Sequence, residues 1–318
     1  MTKVERYREL CESESSIPIF SQPWWLDATC GNRWDVCLVE GANGMLASMP
    51  YVIKSHYGFV ELSQSPLTQK LGPWLKPSSA KRGKVLGQQK KLLSKLISQL
   101  PKYDYFNQKW DCSYTNWLPF YWLGFSQTTR ITYQLSNLGD LNAVWEGLQS
   151  NIKGDVRKAL KHNVKLKENP TIEEFIELNK KVFARQQKSL PYSEELVRII
   201  DRACLQHQRG KLFVVADDKG HNHAAVYLIW DENSAYYLMG GGDADLRNSG
   251  ATSLCLWEAI KFASTVTKKF DFEGSMIEPV EKFFKAFGAE QVLYHAISKS
   301  NSKILDLLML IKSWSRRS

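Results

Sequence analysis

The sequence lacks the closely spaced cysteines of a disulfide-bonded or zinc-binding protein. Its six cysteines are spread over 318 residues, and no two of them form a CxxC pair. Disulfide frameworks and structural zinc sites both depend on such spacings. We therefore expect free thiols, most of them packed as small apolar side chains, and no metal site.

Long apolar runs and a secretory leader are also missing. No stretch approaches 18 uninterrupted apolar residues, so no membrane-spanning helix is expected. The N-terminus, MTKVERYRELCESES, is charged and lacks the apolar core of a signal peptide. These two absences predict a soluble, cytoplasmic protein.

The length and the apolar content are sufficient for two domains. A chain of 318 residues is long for one domain, and its 43% hydrophobic and 24% charged residues are ordinary for a globular protein. The net charge of +9 and the pI near 9.1 favour a polyanionic ligand, such as a nucleotide, coenzyme A or RNA. Charge alone does not choose among these ligands.

A pair of β-rich segments occurs twice with the same spacing. The first pair is DVCLV (35–39) and MLASMPYVIK (45–54), separated by a turn at 41–44. The second is KLFVVA (211–216) and AAVYLIW (224–230), separated by a turn at 217–220. Val36 and Phe213 are 177 residues apart, and so are Ala47 and Ala224. The spacing therefore predicts two equivalent β-hairpins.

The segments after each hairpin repeat as well. Each hairpin is followed by a third strand, a long helix, a short acidic and aromatic strand, a short helix and a final strand. The third strand, the long helix, the short strand and the final strand are predicted at 59–63, 80–100, 103–106 and 131–135 in the first copy, and at 235–240, 249–267, 270–274 and 291–297 in the second. This order predicts the same mixed, mostly antiparallel α/β unit twice.

Residues from Asp140 to His207 are predicted to be helical, apart from one short strand near Lys165. Asp140 and Ser193 are N-cap residues, and Thr171 with Glu174 forms a capping-box pair. These helices would begin the second domain. The sequence thus predicts an α/β (α+β) fold of two related domains, 1–138 and 139–318, each a mostly antiparallel sheet flanked by helices.

A glycine-rich segment in the second copy is a candidate anion site. The third strand ends in Gly240–Gly242, and the sequence RNSGAT then leads into a helix. Glycines at a strand end permit a bulge and the close approach of a ligand, and a helix N-terminus presents free N–H groups to a phosphate. The residues predicted to hold such a group are Arg247, Asn248, Ser249, Gly250 and Ala251. An ordinary helix start remains the alternative.

These residues resemble a known family. RNSGAT approximates the GNAT acetyltransferase motif Q/R-x-x-G-x-G/A, with Thr252 in its last position. The run from Tyr236 to Tyr294 includes WEAI, DFEG and FKAFG, and is similar to the C-terminal half of the Fem family, transferases that add amino acids to peptidoglycan precursors. The resemblance covers roughly 140–297 well, and the first 135 residues only by fold pattern. It implies tandem GNAT-like domains.

The resemblance implies acyl transfer to an amine without a covalent enzyme intermediate. Backbone N–H groups near Met239, Gly240 and Gly241 would stabilise the tetrahedral oxyanion. Asp243, Asp271 and Glu273 are the carboxylates near this site, and Asp271 and Glu273 are the candidate general bases, although Asp271 also suits a structural role. The family position of Lys285 implies contact with a phosphate or with the reacting carbonyl, while the bare sequence favours a lysine that extends into solvent from a packed helix.

A basic helix is the candidate site for the acceptor or for its phosphate groups. In NIKGDVRKALKHNV (151–164), Arg157, Lys158 and Lys161 are close enough to form one positive face. This face would bind the diphosphate of a sugar nucleotide or the acceptor end of a tRNA. A solvated helix face is the alternative.

Three functions remain open at this stage. The first is acyl transfer from acyl-CoA to an amine of a cell-envelope precursor or a sugar. The second is Fem-type transfer from aminoacyl-tRNA to a peptidoglycan precursor, which makes tRNA an alternative partner. The third is a non-catalytic double-GNAT protein that binds a nucleotide or RNA. No metal is expected to take part, and no DNA partner is expected.

The C-terminal segment KILDLLMLIKSWSRRS (303–318) is an apolar helix that ends in Lys312, Arg316 and Arg317. It suits a helix packed on the domain. It also suits peripheral contact with a membrane surface, because basic residues beside Leu, Met and Trp are typical of interfacial helices.

Overall fold

The computed structural model of this chain describes residues 1–42, 44–274 and 276–314, and it describes side chains as far as residue 311. The chain forms two compact units. The first is Met1–Arg130 together with Leu293–Ser318, and the second is Ile131–Val292. The boundaries between them fall inside two long strands.

The first unit opens with two helices and an antiparallel meander, which is followed by a long helix. Its elements are α1 (Lys3–Ser13), α2 (Pro23–Cys30), β1 (Trp34–Gly41), β2 (Gly44–His56), β3 (Phe59–Ser63), β4 (Trp74–Leu75), α3 (Arg82–Ile97), β5 (Tyr105–Lys109), α4 (Leu118–Trp122) and the start of β6 (Ser126–Leu135). The predicted hairpin 35–54 is confirmed as β1 and β2, although Asn43 in its turn lies outside the described residues.

The second unit adds four helices before it repeats the same order. Its elements are α5 (Leu141–Gly147), α6 (Ser150–Lys161), β7 (Lys165–Leu166), α7 (Ile172–Arg185), α8 (Glu194–Gln206), β8 (Gly210–Ala216), β9 (Asn222–Trp230), β10 (Ala235–Gly242), α9 (Ala251–Val266), β11 (Phe270–Asp271), α10 (Glu278–Lys285) and the start of β12 (Glu290–Ser300). The chain then returns to the first unit, where α11 (Lys303–Trp314) follows β12.

The predicted helix caps are confirmed. The Asp140 carboxylate accepts hydrogen bonds from the N–H groups of Asn142 and Ala143, both at 3.0 Å. Thr171 and Glu174 form a reciprocal capping box at the start of α7. The Ser193 hydroxyl accepts from the Leu196 N–H at 3.2 Å. These side chains satisfy N–H groups that have no partner inside a helix, which is why the helices begin there.

The two sheets have the same strand topology. In the first unit β1, β2 and β3 pair antiparallel, and β3 pairs parallel with β5. In the second unit β8, β9 and β10 pair antiparallel, and β10 pairs parallel with β11. Each parallel pair is connected by a long helix, α3 or α9, because parallel strands need a crossover connection.

Each unit takes its last strand from the other half of the sequence. The end of β6 pairs with β11, with Leu135 opposite Phe270, and the end of β12 pairs with β5, with Ala296 opposite Lys109. The sequence predicted that each half would end in its own strand, with a division at 138/139. The compact units do not follow that chain order, since residues from Leu293 onward group with the first unit. A strand pattern determines that a strand forms, and the available sheet edge determines where it pairs.

The second unit buries its sheet between helices on both faces. On one face α9 packs against β8 and β9, and α6 packs against α9. On the other face α7 packs against β9 and β10. The core between the sheet and α9 includes Phe270, Phe272, Phe284 and Phe287, each at most 4% exposed. This packing makes the sheet a rigid support for the segments at its ends.

One apolar side of α11 is exposed. Ile304, Leu307, Leu308 and Ile311 follow helical spacing, and each is more than half exposed. Leu305 and Met309, on another side of the helix, are half-buried. Packing on the domain and contact with a membrane surface therefore both stay predictions. Arg316 and Arg317 lie outside the described residues, as does the side chain of Lys312. No helix in the described ranges has the length and apolar character needed to span a membrane.

Candidate functional site

The second unit has an opening where β10 separates from β11. The two strands pair only at Ala235 with Phe270 and at Tyr236 with Asp271. Directly after this point, β10 has a register shift against β9 between Tyr237 and Met239. A bulge bends a strand and leaves one residue unpaired. The bulge is therefore at Leu238, directly before the segment Met239–Gly241 near which the sequence predicted it, and Met239–Gly241 themselves pair in regular register with β9.

The glycines of this strand have a packing role that sequence reasoning missed. A Cβ on Gly240 would lie 1.8 Å from the Tyr237 hydroxyl, and one on Gly241 would lie 2.8 Å from the Asn179 backbone nitrogen. The Asn179 side chain also donates to the Gly240 carbonyl at 2.6 Å. Glycine is therefore needed here for the close approach of α7 and of the Tyr237 ring.

The predicted anion loop forms a helix N-terminus. Arg247–Ser249 is a 3₁₀ turn, and Gly250, with φ of 79°, is the N-cap residue of the 16-residue helix α9. A Cβ on Gly250 would lie 2.2 Å from the Asp155 carbonyl oxygen, so only glycine fits. Arg247 and Asn248 are exposed. The first-turn N–H groups of α9, beside a cationic side chain, favour an anionic ligand.

A buried histidine supports this loop from beneath. His223 is 7% exposed, and its Nδ1 lies 3.0 Å from the Ser249 hydroxyl. Its Nε2 lies 3.4 Å from the Asp217 carboxylate, at the limit of a hydrogen bond. Burial opposes ionisation of Asp217, but hydrogen bonds from the backbone N–H of His221, at 2.9 Å, and from the His221 ring outweigh it and hold the pKa of Asp217 well below the usual value. Asp217, His223 and Ser249 thus form a chain of contacts that restrains the loop. No local sequence motif predicted this arrangement.

Asp271 is held by strand β6. It is fully buried, and its carboxylate accepts hydrogen bonds from the Thr132 hydroxyl, from the Gln134 amide at 2.7 Å and from the Glu273 N–H at 2.8 Å. Three donors hold this carboxylate in one orientation. This geometry fits the structural role that the sequence allowed for Asp271.

Glu273 lies in a tight turn directly after β11. Its side chain is 7% exposed, and its backbone has a positive φ of 61°, which is uncommon for a residue with a side chain. Gly274 is also left-handed, and a Cβ there would lie 2.2 Å from the Ile131 carbonyl oxygen. Strained backbone of this kind is frequent at functional sites. Whether Glu273 acts as the base stays a prediction.

Lys285 is exposed in the last turn of α10. Its neighbour Phe284 is buried against the Tyr237 ring of the bulge, at 5.6 Å between centroids, and against the Phe272 ring at 5.2 Å. The helix is therefore anchored on the bulge of β10. Lys282 pairs with Glu278 at 2.7 Å, whereas no ion pair of Lys285 occurs in the part of the chain that the structure describes.

Tyr133 and Glu281 form a pair that sequence reasoning did not find. The Tyr133 hydroxyl, from β6, donates to the Glu281 carboxylate on α10 and accepts from the Gln291 amide at 3.1 Å. The hydrogen bond to Glu281 raises the pKa of Tyr133. These residues are distant in sequence, so no spacing rule would have joined them. Tyr294, on the last strand, lies in the first unit, with its ring 5.9 Å from the Lys70 ammonium.

The basic face of α6 points to solvent. Arg157, Lys158 and Lys161 are exposed, while Ile152 and Val156 face the core. On the flank toward α9, the Asp155 carboxylate accepts from the Ser253 hydroxyl at 3.0 Å. The three cations therefore lie on a helix that touches the anion loop, but on a different side of it. Whether they bind the acceptor stays a prediction.

All six cysteines are free thiols. Within the residues that the structure describes, no group of three or more His, Cys, Asp or Glu side chains is arranged to hold a metal ion.

The second unit matches a known domain family. Residues 149–275, which lie entirely inside the second unit, match the family model of an acetyltransferase (GNAT) domain. No curated protein matches the chain significantly.

The fold is similar to those of several solved structures. FemX covers 93% of this chain and 96% of its own, with a TM-score of 0.69 and 12% identity. A tandem GNAT protein from the clavulanic acid biosynthesis pathway covers 94% and 95%, with a TM-score of 0.53 and 10% identity. The C-terminal domain (DUF2156) of an Agrobacterium fabrum protein assigned as a lysylphosphatidylglycerol synthetase covers 97% and 95%, with a TM-score of 0.56 and 10% identity.

These similarities confirm the predicted fold class and the resemblance to Fem-type, tandem GNAT proteins at the level of the fold. Together with the GNAT domain at 149–275, they support a transferase. At such low identity they do not identify the donor or the acceptor.

Proposed function

We propose that this chain, whose second unit contains a GNAT acetyltransferase domain, is a cytoplasmic N-acyltransferase. It transfers an acyl group from acyl-CoA to an amine of a cell-envelope precursor or of a sugar. The observation that supports this most directly is the Gly250 N-terminus of α9, with the exposed Arg247, which follows the bulged strand β10. This pairing provides a site for the phosphates beside a site for the carbonyl.

In this proposal the second unit performs the chemistry by position and charge. The amine attacks the thioester carbonyl, a C–N bond forms, the C–S bond breaks, and the sulfur leaves as a thiolate. Backbone N–H groups at Met239–Gly241 stabilise the oxyanion, and Lys285 stabilises the developing negative charge. Glu273 accepts the proton that the attacking amine loses. The α9 N-terminus, with Arg247, holds the pyrophosphate of the donor.

Aminoacyl-tRNA is the second candidate donor. FemX shares this fold over nearly the whole chain, and the exposed cations Arg157, Lys158 and Lys161 provide a surface for a nucleic-acid backbone. Both donors have phosphate groups that suit a helix N-terminus. A peptidoglycan precursor is the corresponding acceptor.

The binding experiment compares coenzyme A with uncharged tRNA by calorimetry and by thermal unfolding. We expect coenzyme A to bind and to raise the melting temperature. Arg247→Ala should weaken this binding about tenfold, because one charge-assisted contact is lost. The matched control is Arg82→Ala, at the start of the equivalent helix α3, which should bind coenzyme A as the parent does.

Each other result has a clear meaning. Salt-sensitive stabilisation by tRNA alone would favour the second donor. Stabilisation by neither ligand would contradict both enzymatic proposals and favour a non-catalytic protein.

A further inference from the structure

One segment of the first unit accounts for the entire net charge of the protein. Between Leu62 and Tyr103 the sequence has nine Lys and Arg residues and no Asp or Glu. The whole chain has 42 basic and 33 acidic residues, so the remainder is balanced at 33 of each. A charge excess confined to one segment indicates a local partner of opposite charge.

Five of these nine basic residues belong to α3, and four of the five are exposed. Lys84, Lys91 and Lys95 recur at helical spacing on its outer face, and all three are exposed. Only Leu93 and Leu96 of this helix are buried. None of these lysines has an ion pair within residues 1–42, 44–274 and 276–311. The cations are therefore available to a ligand.

Large apolar side chains are exposed directly beside the cations. Helix α4 packs along one edge of α3, and the Lys90 ammonium lies 5.3 Å from the Trp122 ring. Trp122 and Tyr121 are each 59% exposed. Three leucines, at 40–48% exposure, accompany them: Leu86, Leu118 and Leu123. We call these five residues and the lysines of α3 the basic–apolar face.

A groove runs along the same helix. Its volume is about 710 Å³, and it is lined by Leu46, Pro77 and Leu92 together with the stems of several lysines. Ammonium groups at the rim of an apolar groove suit a ligand with an anionic head and an apolar tail, because lysine stems cover apolar surface while their heads stay in water.

We propose that the basic–apolar face binds an anionic lipid surface. Lysines attract acidic headgroups, and Trp, Tyr and Leu enter the boundary between the headgroups and the acyl chains. RNA would bind to the lysines and stack on the aromatic rings, but three exposed leucines and an apolar groove would contribute little to RNA binding. The balance of side chains therefore favours lipid. The proposal is independent of the catalytic function proposed above.

The test is co-sedimentation of the full chain with vesicles of phosphatidylcholine, with and without phosphatidylglycerol. We expect binding only when phosphatidylglycerol is present, with weakening as salt increases. The triple variant K84Q/K91Q/K95Q should bind about 100-fold more weakly, since each basic residue near an anionic bilayer contributes about fivefold. Trp122→Ala should weaken binding about tenfold through lost apolar burial.

The control variant is K188Q/K219Q/K268Q, which removes the same charge from exposed lysines of the second unit. It should bind vesicles within about twofold of the parent, and circular dichroism should show that all variants are folded. Equal weakening of vesicle binding by both triple variants would show that only the net charge of the protein matters, and it would overturn the proposal. Unchanged binding of K84Q/K91Q/K95Q would overturn it too, because another surface, such as α11, would then be responsible. Binding of uncharged tRNA but not of vesicles would identify an RNA surface instead.

Discussion

Helices α3 and α9 occupy equivalent places in the two units, but they are buried to very different extents. Each has 16 residues and connects two parallel strands. Nine residues of α9 are buried, against two of α3. The reason is that α6 covers the outer side of α9, whereas the outer face of α3 is exposed. The same element therefore supports a site in one unit and forms a charged surface in the other.

The N-termini of α3 and α9 also differ. Helix α9 begins at a left-handed glycine, whereas α3 follows Lys81 in an extended conformation with no side-chain cap. In the first unit, Trp110 follows β5 and packs so closely on Gly72 that a Cβ there would lie 2.5 Å from its ring. The Trp110 ring thus fills the space directly after β5. At the equivalent position, after β11, the second unit has the turn that contains Glu273.

The short helices α4 and α10 show the third difference. Both begin near a proline and lead to a glycine with positive φ, Gly124 at 80° and Gly288 at 74°. Helix α10 is longer by about one turn. Counting back from these glycines places Tyr121 where the second unit has Lys285. The two units therefore share their strands and their glycine turns, whereas the charged groups around these elements differ.

The largest expected effect concerns Lys285. Lys285→Ala should lower kcat/KM for acyl transfer to a soluble amine about 100-fold, because it removes one group that stabilises charge in the transition state. Tyr121→Ala, at the equivalent place in the first unit, should leave the rate unchanged. Lys282→Ala is the control for loss of charge from α10. Steady-state kinetics decide the matter, and a normal rate for Lys285→Ala would show that the site is misplaced.

The second prediction compares two glycines at the helix starts. Gly250→Ala should destabilise the protein by ~3 kcal/mol, since the residue is left-handed and a Cβ meets the Asp155 backbone. Gly83→Ala, in the first turn of α3, meets no atom within 4 Å. It should stabilise by ~0.5 kcal/mol through the loss of backbone freedom in the unfolded chain. Urea unfolding measures both, and effects of equal sign would contradict the comparison.

The third prediction compares the two capping boxes. Burial opposes ionisation of Glu174 on α7, but hydrogen bonds from Lys167, Thr171 and Asn222 outweigh it and lower its pKa to about 2, from 4.5. A carboxyl group with a lowered pKa stabilises the fold above its unfolded pKa, and this stabilisation is lost as the pH falls toward the folded pKa. Glu174→Ala should therefore cost about 2 kcal/mol at neutral pH, and less below pH 4.5.

Its partner in the comparison is Glu5, in the exposed capping box of α1. Glu5→Ala should lower the free energy of unfolding by only about 0.5 kcal/mol, because the hydrogen bonds of an exposed cap contribute little to stability. Chemical unfolding as a function of pH gives both differences. A cost for Glu174→Ala that does not change between neutral pH and pH 3 would refute the linkage.

Much of the fold was accessible from local pattern. The alternation in 211–216 and 224–230 and the spacing of 177 residues predicted the hairpins, and Thr171 with Glu174 predicted the start of α7. These signals depend on neighbouring residues only. The site was predictable in part: RNSGAT indicated the N-terminus of a helix, and α9 begins there. The binding of an anion by Arg247 stays a prediction.

The order and type of the elements follow from local residues, because hydrophobic period, caps and turn glycines act within a few positions. The folded chain was needed to establish which strand completes which sheet, what fills the space beside Gly240 and Gly241, and that Tyr133 meets Glu281. The free sheet edge decides the strand pairing, and side chains that meet only in the folded chain decide the rest, such as Asn179 with Gly240 and Tyr133 with Glu281, which are 61 and 148 positions apart. A free sheet edge can pair with strands from different parts of the chain, so the partner of a strand is not determined by its own segment alone.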